Sequence, residues 1–333
     1  MPASPQPRRN PFVQHDDRTG RAVFVAPRRD ERPGDAELAA AHGGAAPSAW
    51  CPFCVGNETR TPPDVMRAPA DPARAWQARI VPNRFPFVEA AEPAVMNAGD
   101  LRPALGVHDV VIESPRHETS VLTVDSAGWR AAWELVRRRL AALAGRGDLA
   151  WGTVFKNSGP RAGASLEHVH SQLVAIDFVP PAVRAEFEAA ARRTDPFADL
   201  LAEARADGRI VTERGGLVVL VPAAPRQPGE TWIVPAARQP FFHAAPPATA
   251  DAVADLTRDL VGRLARLLPG ADYNWWLHEA AWDGATSTAA TDRWHWHLEI
   301  LPRATELAGF ELATGCHITA LPAADAAARL RDA

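Results

Sequence analysis

The chain contains few cysteines, one lysine and no long apolar segment. Its 333 residues include three cysteines, too few for a disulfide scaffold. No segment approaches the length of a membrane helix, and the N-terminus lacks the apolar core of a secretory signal. The formal net charge is -4, so no global basic field favours nucleic acid. We therefore expect a cytoplasmic protein that binds neither membrane nor nucleic acid.

The chain has the composition of a large globular protein with two similar halves. Hydrophobic residues make up 47% of it, which is enough for a large core. Residues 1–10 are rich in Pro and Arg and are predicted to be disordered. In each half that follows, strands precede one long helix and then a strand bearing His-x-His. We interpret this as a duplicated α+β unit, with an N-terminal domain at 11–180 and a C-terminal domain at 181–333.

Apolar periodicity predicts two long helices and a helical connector. The first helix begins at Asp125 or Ser126 and ends near Gly145. The second runs from Thr249 to Leu268, and a polar helical stretch from Ala182 to Ala206 connects the halves. Strands are predicted at Arg21–Ala26, Ala78–Val81, His108–Glu113, Trp151–Lys156, Gln172–Ile176, Arg209–Thr212, Leu217–Val221, Thr231–Val234, Tyr273–His278 and Trp294–Leu301.

Two cysteines have the spacing of a metal site. Cys51 and Cys54 form a Cys-x-x-Cys pair, which is typical of zinc ligands. A tetrahedral ion needs two more ligands, for which His117 and His168 are the candidates. The residues alone do not separate His117 from His108.

The sequence from 165 to 172 indicates chemistry at phosphorus. In an extended strand His168, His170 and Gln172 share one face. The preceding loop with Ser165 offers hydroxyl and backbone donors to a phosphate. His170 is therefore the candidate covalent nucleophile. The neutral amide of Gln172 donates without acting as an acid or base, which favours a persistent nucleotidyl-enzyme that waits for a phosphate acceptor over hydrolysis.

Three further features point to ligand binding. His295 and His297 share a strand face and, with His278 and a carboxylate, form a candidate second metal site. The guanidiniums between Arg28 and Arg32 suit a pyrophosphate. The single lysine, Lys156, is interpreted as part of the phosphate loop.

These motifs together resemble the galactose-1-phosphate uridylyltransferase family of the histidine-triad superfamily. The resemblance runs from about Asn10 to Asp325. Its landmarks are Cys51-Pro52-Phe53-Cys54, Gly56-Asn57-Glu58, Thr61-Pro62-Pro63, Val81-Pro82-Asn83-Arg84-Phe85-Pro86, the Phe155-to-Gln172 block, the stretch from His295 to Arg303 and Ala308-Gly309-Phe310-Glu311.

The resemblance implies a fold and a reaction. The fold is two fused copies of a histidine-triad-like α+β unit, with two antiparallel half-barrel sheets and flanking helices, usually assembled as a homodimer. The reaction is a ping-pong transfer between UDP-glucose and a hexose 1-phosphate, galactose 1-phosphate. In it His170 attacks the α-phosphorus of UDP-glucose, and the uridylyl-His170 intermediate then passes its nucleotidyl group to the sugar phosphate.

The resemblance also implies roles for single residues. The structural zinc ligands would be Cys51, Cys54, His117 and His168. A second ion, iron or zinc, would be bound by Glu186, His278, His295 and His297. The catalytic group would comprise His170, Gln172 and Ser165. The substrate contacts would be Arg29, Arg32, Asn83, Phe155, Asn157 and Gly163 toward the nucleotide, with Phe310, Glu311 and His317 toward the hexose.

Other functions compete with this one. An ADP-sugar or dinucleotide phosphorylase, an adenylyltransferase of the same superfamily, is the alternative, since no residue reads the base unambiguously. A nucleotide-sugar binding module without activity is disfavoured because both His170 and Gln172 are present. Gln172 also disfavours a hydrolase.

Overall fold

The strands and helices follow the predicted alternation of sheet and long helix. The computed structural model describes residues 10–16, 18, 21–34, 37, 40, 46–90, 102–282 and 291–333. The described strands are β1 Phe12–Asp16, β2 Arg21–Val25, β3 Met66–Ala68, β4 Ala78–Pro82, β5 Arg102–Pro103, β6 Gly106–Ile112, β7 Trp151–Ser158, β8 His170–Ile176, β9 Ile210–Arg214, β10 Leu217–Leu220, β11 Thr231–Pro235, β12 Tyr273–His278 and β13 His297–Pro302. The described helices are α1 Pro47–Trp50, α2 Ser126–Ala144, α3 Pro181–Ala191, α4 Pro196–Ala206, α5 Pro247–Leu267, α6 Gly309–Thr314 and α7 Ala323–Asp332.

The described strands of both halves join in one ten-stranded sheet. Its order is β3-β4-β6-β8-β7-β12-β13-β11-β10-β9, and neighbouring strands are antiparallel. The halves meet where β7 pairs with β12, with Phe155 opposite Trp276. A separate sheet has the order β2-β1-β5. The predicted α+β class is confirmed, and the two half-sheets are continuous with each other.

The two halves repeat one connectivity. β6, α2, β7 and β8 follow one another in the first half, as β11, α5, β12 and β13 do in the second. His170 begins β8 and His297 begins β13, so these two histidines occupy equivalent places. The predicted domain boundary near residue 180 stays a prediction, because the sheet runs through both halves.

The long helices form where the sequence provides caps and an apolar stripe. Asp125 caps α2, since its carboxylate accepts from the Gly128 N–H at 2.9 Å. α5 begins at Pro247, two residues before the predicted start, because proline suits the first helical position. The helices contact each other, and the Trp129 indole N–H donates to the Ala254 carbonyl at 2.8 Å.

Most predicted elements have bounds within two residues of those in the structure, and two differ by more. The predicted helical connector at 182–206 is two helices, α3 and α4. The break occurs because Pro196 cannot continue α3, while the Asp195 carboxylate accepts from the Ala198 N–H and caps α4. The last predicted strand begins at His297 rather than Trp294. The predicted disordered segment 1–10 lies outside the described residues except for Asn10.

Within the part of the chain that the structure describes, no helix is both long and apolar enough to cross a bilayer.

The junction between the halves is expected to dominate stability. Trp129 is 2% exposed and contacts the rings of Trp133 and Trp275. We expect Trp129→Ala to lower the free energy of unfolding in urea by about 3–5 kcal/mol, because it leaves a large cavity. Arg138→Ala, at an exposed position of the same helix, should change it by less than about 0.5 kcal/mol. Equal effects from the two variants would contradict this assignment of the core.

Candidate active site and metal centre

Four side chains from distant parts of the chain converge beside β8. The ligand atoms of Cys51, Cys54, His117 and His168 all lie within 4.8 Å of one another. Cys51 Sγ is 3.5 Å from His168 Nδ1, and Cys54 Sγ is 3.5 Å from His117 Nδ1 and 3.6 Å from His168 Nδ1. The structure thus selects His117 over His108 as the fourth member of the group.

The spacing of this cluster fits a tetrahedral ion. Bonds of about 2.3 Å to sulfur and about 2.1 Å to nitrogen at tetrahedral angles place those ligands about 3.5–3.6 Å apart. Burial raises the pKa of the Cys51 thiol to about 12, so without a cation the neutral thiol is favoured. A divalent cation reverses that preference, because it stabilises the thiolate directly. The donor set therefore suits a metal.

His168 connects the metal cluster to the start of β8. Its Nε2–H donates to the Ser114 carbonyl at 2.9 Å, which directs Nδ1 toward the two sulfurs. His168 lies just before β8 rather than within it, whereas His170 is the first residue of the strand. The ring of His168 therefore faces the cluster, while His170 and Gln172 line a neighbouring cavity.

His170 is oriented by a main-chain hydrogen bond. Its Nδ1–H donates to the His168 carbonyl at 2.7 Å, which leaves the lone pair on Nε2. Burial and the nearby Lys156 ammonium lower the pKa of His170 to about 4. The imidazole is therefore neutral near pH 7 and has a nucleophilic nitrogen. The ring of Phe53 packs against it, with centroids 5.2 Å apart.

The cavity beside His170 encloses about 310 Å³, at the lower end of ligand-site volumes. Apolar groups from α1, the Cys-x-x-Cys loop and β4 make up much of its wall. The predicted residues that line it are Arg32, Asn83, Ser165, His170 and Gln172. The cavity thus combines an apolar wall with polar groups near one imidazole, an arrangement suited to a nucleotide.

Gln172 contacts His108, for which the sequence predicted only a possible role as a metal ligand. Gln172 Oε1 lies 2.9 Å from His108 Nε2, and Asn83 Nδ2 lies 3.0 Å from the same nitrogen. The Phe87 N–H donates to His108 Nδ1 at 3.4 Å, which favours a proton on Nε2 directed at Gln172 Oε1; in this tautomer the Asn83 amide nitrogen contacts Nε2 without donating to it. Burial lowers the pKa of His108 to about 4, so the ring is neutral. This arrangement directs the amide nitrogen of Gln172 away from His108.

Two arginines lie near the cavity. Arg32 lines it, and Arg29 lines an adjoining cleft with Phe24 and Phe87. Arg29 donates to the Phe85 carbonyl at 3.1 Å. Burial and the charge of Arg32 lower the pKa of Arg29. Two close guanidiniums favour a polyanion such as a pyrophosphate.

Several predicted substrate residues do not line the cavity as the described residues form it. Phe155 pairs with Gln172 across β7 and β8, and the Asn157 amide oxygen accepts from Asn274 at 2.9 Å. Gly163 ends the turn at 160–162 with φ 85°, a conformation that favours glycine. Phe310 and Glu311 lie on α6, where Phe310 is 54% exposed. The roles of these residues, and that of the exposed His317, stay predictions.

The interpretation of Lys156 as part of the phosphate loop is wrong. Lys156 is 2% exposed, lies within β7, and donates to the Glu113 carboxylate at 2.5 Å. The strand period of two provides the missed signal, because it places Lys156 on the opposite face from Phe155 and Asn157.

Three of the four predicted ligands of a second metal come together. The ligand atoms of Glu186, His278 and His297 lie within 4.8 Å of one another, and this described group does not include His295. The ring of His295 instead stacks on Phe197, with centroids 5.0 Å apart. The group could hold an ion, as predicted, but with three of the four ligands.

A charged network surrounds this second group. His278 Nδ1 lies 3.1 Å from Glu186, and its Nε2 lies 3.1 Å from Glu299. Burial alone would lower the pKa of His278, but the neighbouring carboxylates of Glu186 and Glu299 raise it to about 9. Glu299 also pairs with Arg226. Glu299 was not among the predicted ligands, although it follows His297 by two residues and so shares its strand face.

Comparisons with known proteins identify a matching family and several relatives. Residues 6–180 match the family model described as galactose-1-phosphate uridyl transferase, N-terminal domain. The chain is 29% identical to ADP-glucose phosphorylase from Arabidopsis thaliana over 333 residues, covering 97% of this chain and 93% of the relative. It is 26% identical to galactose-1-phosphate uridylyltransferase from Thermotoga maritima over 194 residues, covering 56% and 57%. A crystal structure of an ADP-glucose phosphorylase from Arabidopsis thaliana with bound ADP-glucose superposes with a TM-score of 0.76 at 28% identity, covering 97% of this chain and 99% of that chain.

The four-residue cluster predicts metal content. The purified protein should contain a tightly bound divalent ion in this cluster, so Cys51→Ser should lower the metal content by about one ion per chain and lower the melting temperature. Cys316→Ser is the matched control, because Cys316 is exposed and lies outside the cluster. Elemental analysis of the three proteins measures this, and unchanged metal in Cys51→Ser would exclude the ligand set.

Proposed function

The chain belongs to the galactose-1-phosphate uridyl transferase family, and we propose that it is a nucleotidyltransferase that uses ADP-glucose as donor and inorganic phosphate as acceptor. The observation that carries the reaction type is the tethered imidazole of His170 at the wall of a nucleotide-sized cavity. The choice of donor is supported by the 29% identity to an ADP-glucose phosphorylase over 97% of the chain.

The reaction has two displacements at one phosphorus. In the first, His170 Nε2 attacks the α-phosphorus of ADP-glucose. The N–P bond forms, the bond from phosphorus to the bridging oxygen breaks, and glucose 1-phosphate leaves with that oxygen and its electron pair. In the second, an oxygen of inorganic phosphate attacks the adenylyl phosphorus. The N–P bond breaks, its electron pair returns to the imidazole, and ADP leaves.

Neighbouring groups stabilise the charge that develops on the phosphoryl oxygens. The amide nitrogen of Gln172, directed away from His108, can donate to one such oxygen without supplying a labile proton. Arg32 contributes positive charge, and Ser165 contributes a hydroxyl donor. Because no strong general base faces the phosphorus in this set, water attack is slow and the adduct persists until phosphate binds.

The metal centre has a structural role in this proposal, and we assign zinc to it. Cys51, Cys54, His117 and His168 provide four protein ligands, which leaves no open position for substrate. A bound zinc ion would hold the Cys-x-x-Cys loop against the segment before β8. His170 donates to the carbonyl of a ligand residue, so the ion would act on the reaction only by fixing His170 in place.

The second candidate donor is UDP-glucose, with a hexose 1-phosphate as acceptor. The relative from Thermotoga maritima supports it, but its alignment covers 56% of the chain. The same two displacements at His170 serve either donor, so the two candidates differ only in the base and the acceptor.

Three predictions from the family resemblance remain part of the proposal. They are a homodimer, a hexose site that includes Phe310 and Glu311, and a second iron or zinc ion at Glu186, His278 and His297. A cytoplasmic location also stays a prediction.

The mass of the covalent intermediate identifies the nucleotide donor that the protein uses. We expect ADP-glucose without phosphate to add the mass of an adenylyl group to the intact protein, and added phosphate to remove it with release of ADP. UDP-glucose, tested in parallel, should give a smaller labelled fraction. His170→Asn should give no adduct with either donor while keeping its metal and its melting temperature. An adduct in His170→Asn would exclude this nucleophile, and uridylyl labelling alone would move the assignment to the second candidate.

The amide at residue 172 should protect the adduct from water. Gln172→His introduces an imidazole that can activate water, so we expect hydrolysis of ADP-glucose to AMP to rise by about tenfold or more relative to transfer. Gln172→Asn is the control, because it keeps an amide and should slow both reactions without favouring hydrolysis. The ratio of AMP to ADP formed under phosphate measures the effect, and an unchanged ratio in Gln172→His would remove this role.

A further inference from the structure

A buried ion pair between Lys156 and Glu113 contacts the main chain at the start of β8, the strand that carries His170. Nζ of Lys156 donates to Glu113 Oε2 at 2.5 Å and to the main-chain carbonyl of His170 at 2.8 Å. The Ser171 hydroxyl donates to the other carboxylate oxygen of Glu113, also at 2.5 Å. The side chains of Lys156 and Glu113 are each 3% exposed. This pair is therefore shielded from solvent and contacts the nucleophile only through the backbone.

These contacts engage three consecutive residues, the one that precedes the strand and the first two of the strand. The Glu113 N–H donates to the Val169 carbonyl at 3.4 Å, Lys156 holds the His170 carbonyl, and the Glu113 carboxylate holds Ser171. The backbone on both sides of the His170 Cα is thereby fixed from β7 and from the end of β6.

The ammonium of Lys156 bonds to the main chain of β8 at a point where β7 no longer pairs with that strand. The pairing of β7 with β8 runs from Trp151 opposite Ile176 to Phe155 opposite Gln172, and stops there. His170 lies two residues beyond that last pair, so on the β7 side its carbonyl receives the ammonium of Lys156 instead of a strand partner. On the other side His170 pairs with Ile112 of β6.

Stability alone is a poor reason for this arrangement. A buried ion pair loses much of its attraction to desolvation, and apolar side chains of similar volume are often as stabilising. Apolar side chains, however, cannot donate to the His170 carbonyl. What the pair adds is a fixed position for one backbone unit, and a displacement of about 1 Å at a reacting group can slow a reaction about 100-fold.

We propose that Lys156 and Glu113 are positioning residues that hold the backbone of His170 so that Nε2 is aligned for attack on phosphorus. This inference rests on the proposed nucleotidyl transfer, and neither side chain touches the substrate in it.

The kinetic test uses the rate of adduct formation in a single turnover. Lys156→Met, and Lys156→Met combined with Glu113→Gln, remove the donor to His170; the double variant leaves no unpaired charge. We expect the rate of adduct formation at saturating ADP-glucose to fall about 10- to 100-fold. The ADP-glucose concentration that gives half the maximal rate should change by less than about threefold. Metal content should stay at the wild-type level.

The control is a buried hydrogen bond on the same strand. Thr153 of β7 donates to the Leu277 carbonyl at 2.7 Å and does not contact β8 through that bond. We expect Thr153→Val to lower the melting temperature while leaving the adduct rate within about threefold of wild type. A double variant that is folded, metal-loaded and as fast as wild type would overturn the proposal. If that variant does not fold, Ser171→Ala decides, since a several-fold slower adduct rate is expected and an unchanged rate would overturn it.

A spectroscopic readout separates this inference from the proposed function. In protein labelled with ¹⁵N-histidine, the Nδ1–H of His170 that bonds to the His168 carbonyl should give a protected ring resonance, assigned by its loss in His170→Asn. We expect that resonance to broaden or disappear in the double variant and to persist in Thr153→Val. If the wild type forms no adduct with any donor, the proposed function fails while this measurement still tests the positioning. An unchanged resonance in the double variant would refute it.

Discussion

The hydrogen bond from His170 Nδ1 to the His168 carbonyl is the interaction on which the rest of the site depends. It joins a metal-ligand candidate to the proposed nucleophile through one peptide unit and sets the tautomer of the imidazole. His168 is fixed in turn by the Ser114 carbonyl and by the cluster of Cys51, Cys54 and His117. A change at the proposed metal centre would therefore reach Nε2 of His170 through a short covalent and hydrogen-bonded path.

Each half of the fold contains a hydrogen bond from Nδ1 of one histidine to the carbonyl of the histidine two residues earlier, but the surroundings of the two imidazoles differ. His297 Nδ1 donates to the His295 carbonyl at 3.1 Å, as His170 does to His168. The ring of His297, however, stacks on His278 and Trp232, with centroids 4.7 and 5.0 Å away. In the second half side chains thus cover the imidazole, whereas in the first half the imidazole borders a cavity. The fold provides this hydrogen bond in both halves, and the neighbouring side chains determine whether the imidazole is accessible to a ligand.

The sequence was sufficient to predict those features that depend on residues close together in the chain. The Asp125 cap and the apolar periodicity predicted α2 because both act within a few helical turns. The Cys-x-x-Cys spacing predicted a metal cluster for the same reason. The choice between His117 and His108 required tertiary structure, since each lies more than 50 residues from Cys51 and only folding brings one of them to the sulfurs. The pairing of β7 with β12 likewise depends on strands more than 100 residues apart.

The proposed function depends on one covalent bond between phosphorus and Nε2 of His170. The most direct test of this bond begins with protein quenched during turnover of ADP-glucose. The protein is then digested, and the adenylyl group is located by tandem mass spectrometry and ³¹P NMR. We predict the label on the peptide containing His170, with phosphorus bonded to Nε2 because Nδ1 is engaged by the His168 carbonyl. A label on any other residue, or at Nδ1 of His170, would contradict the account.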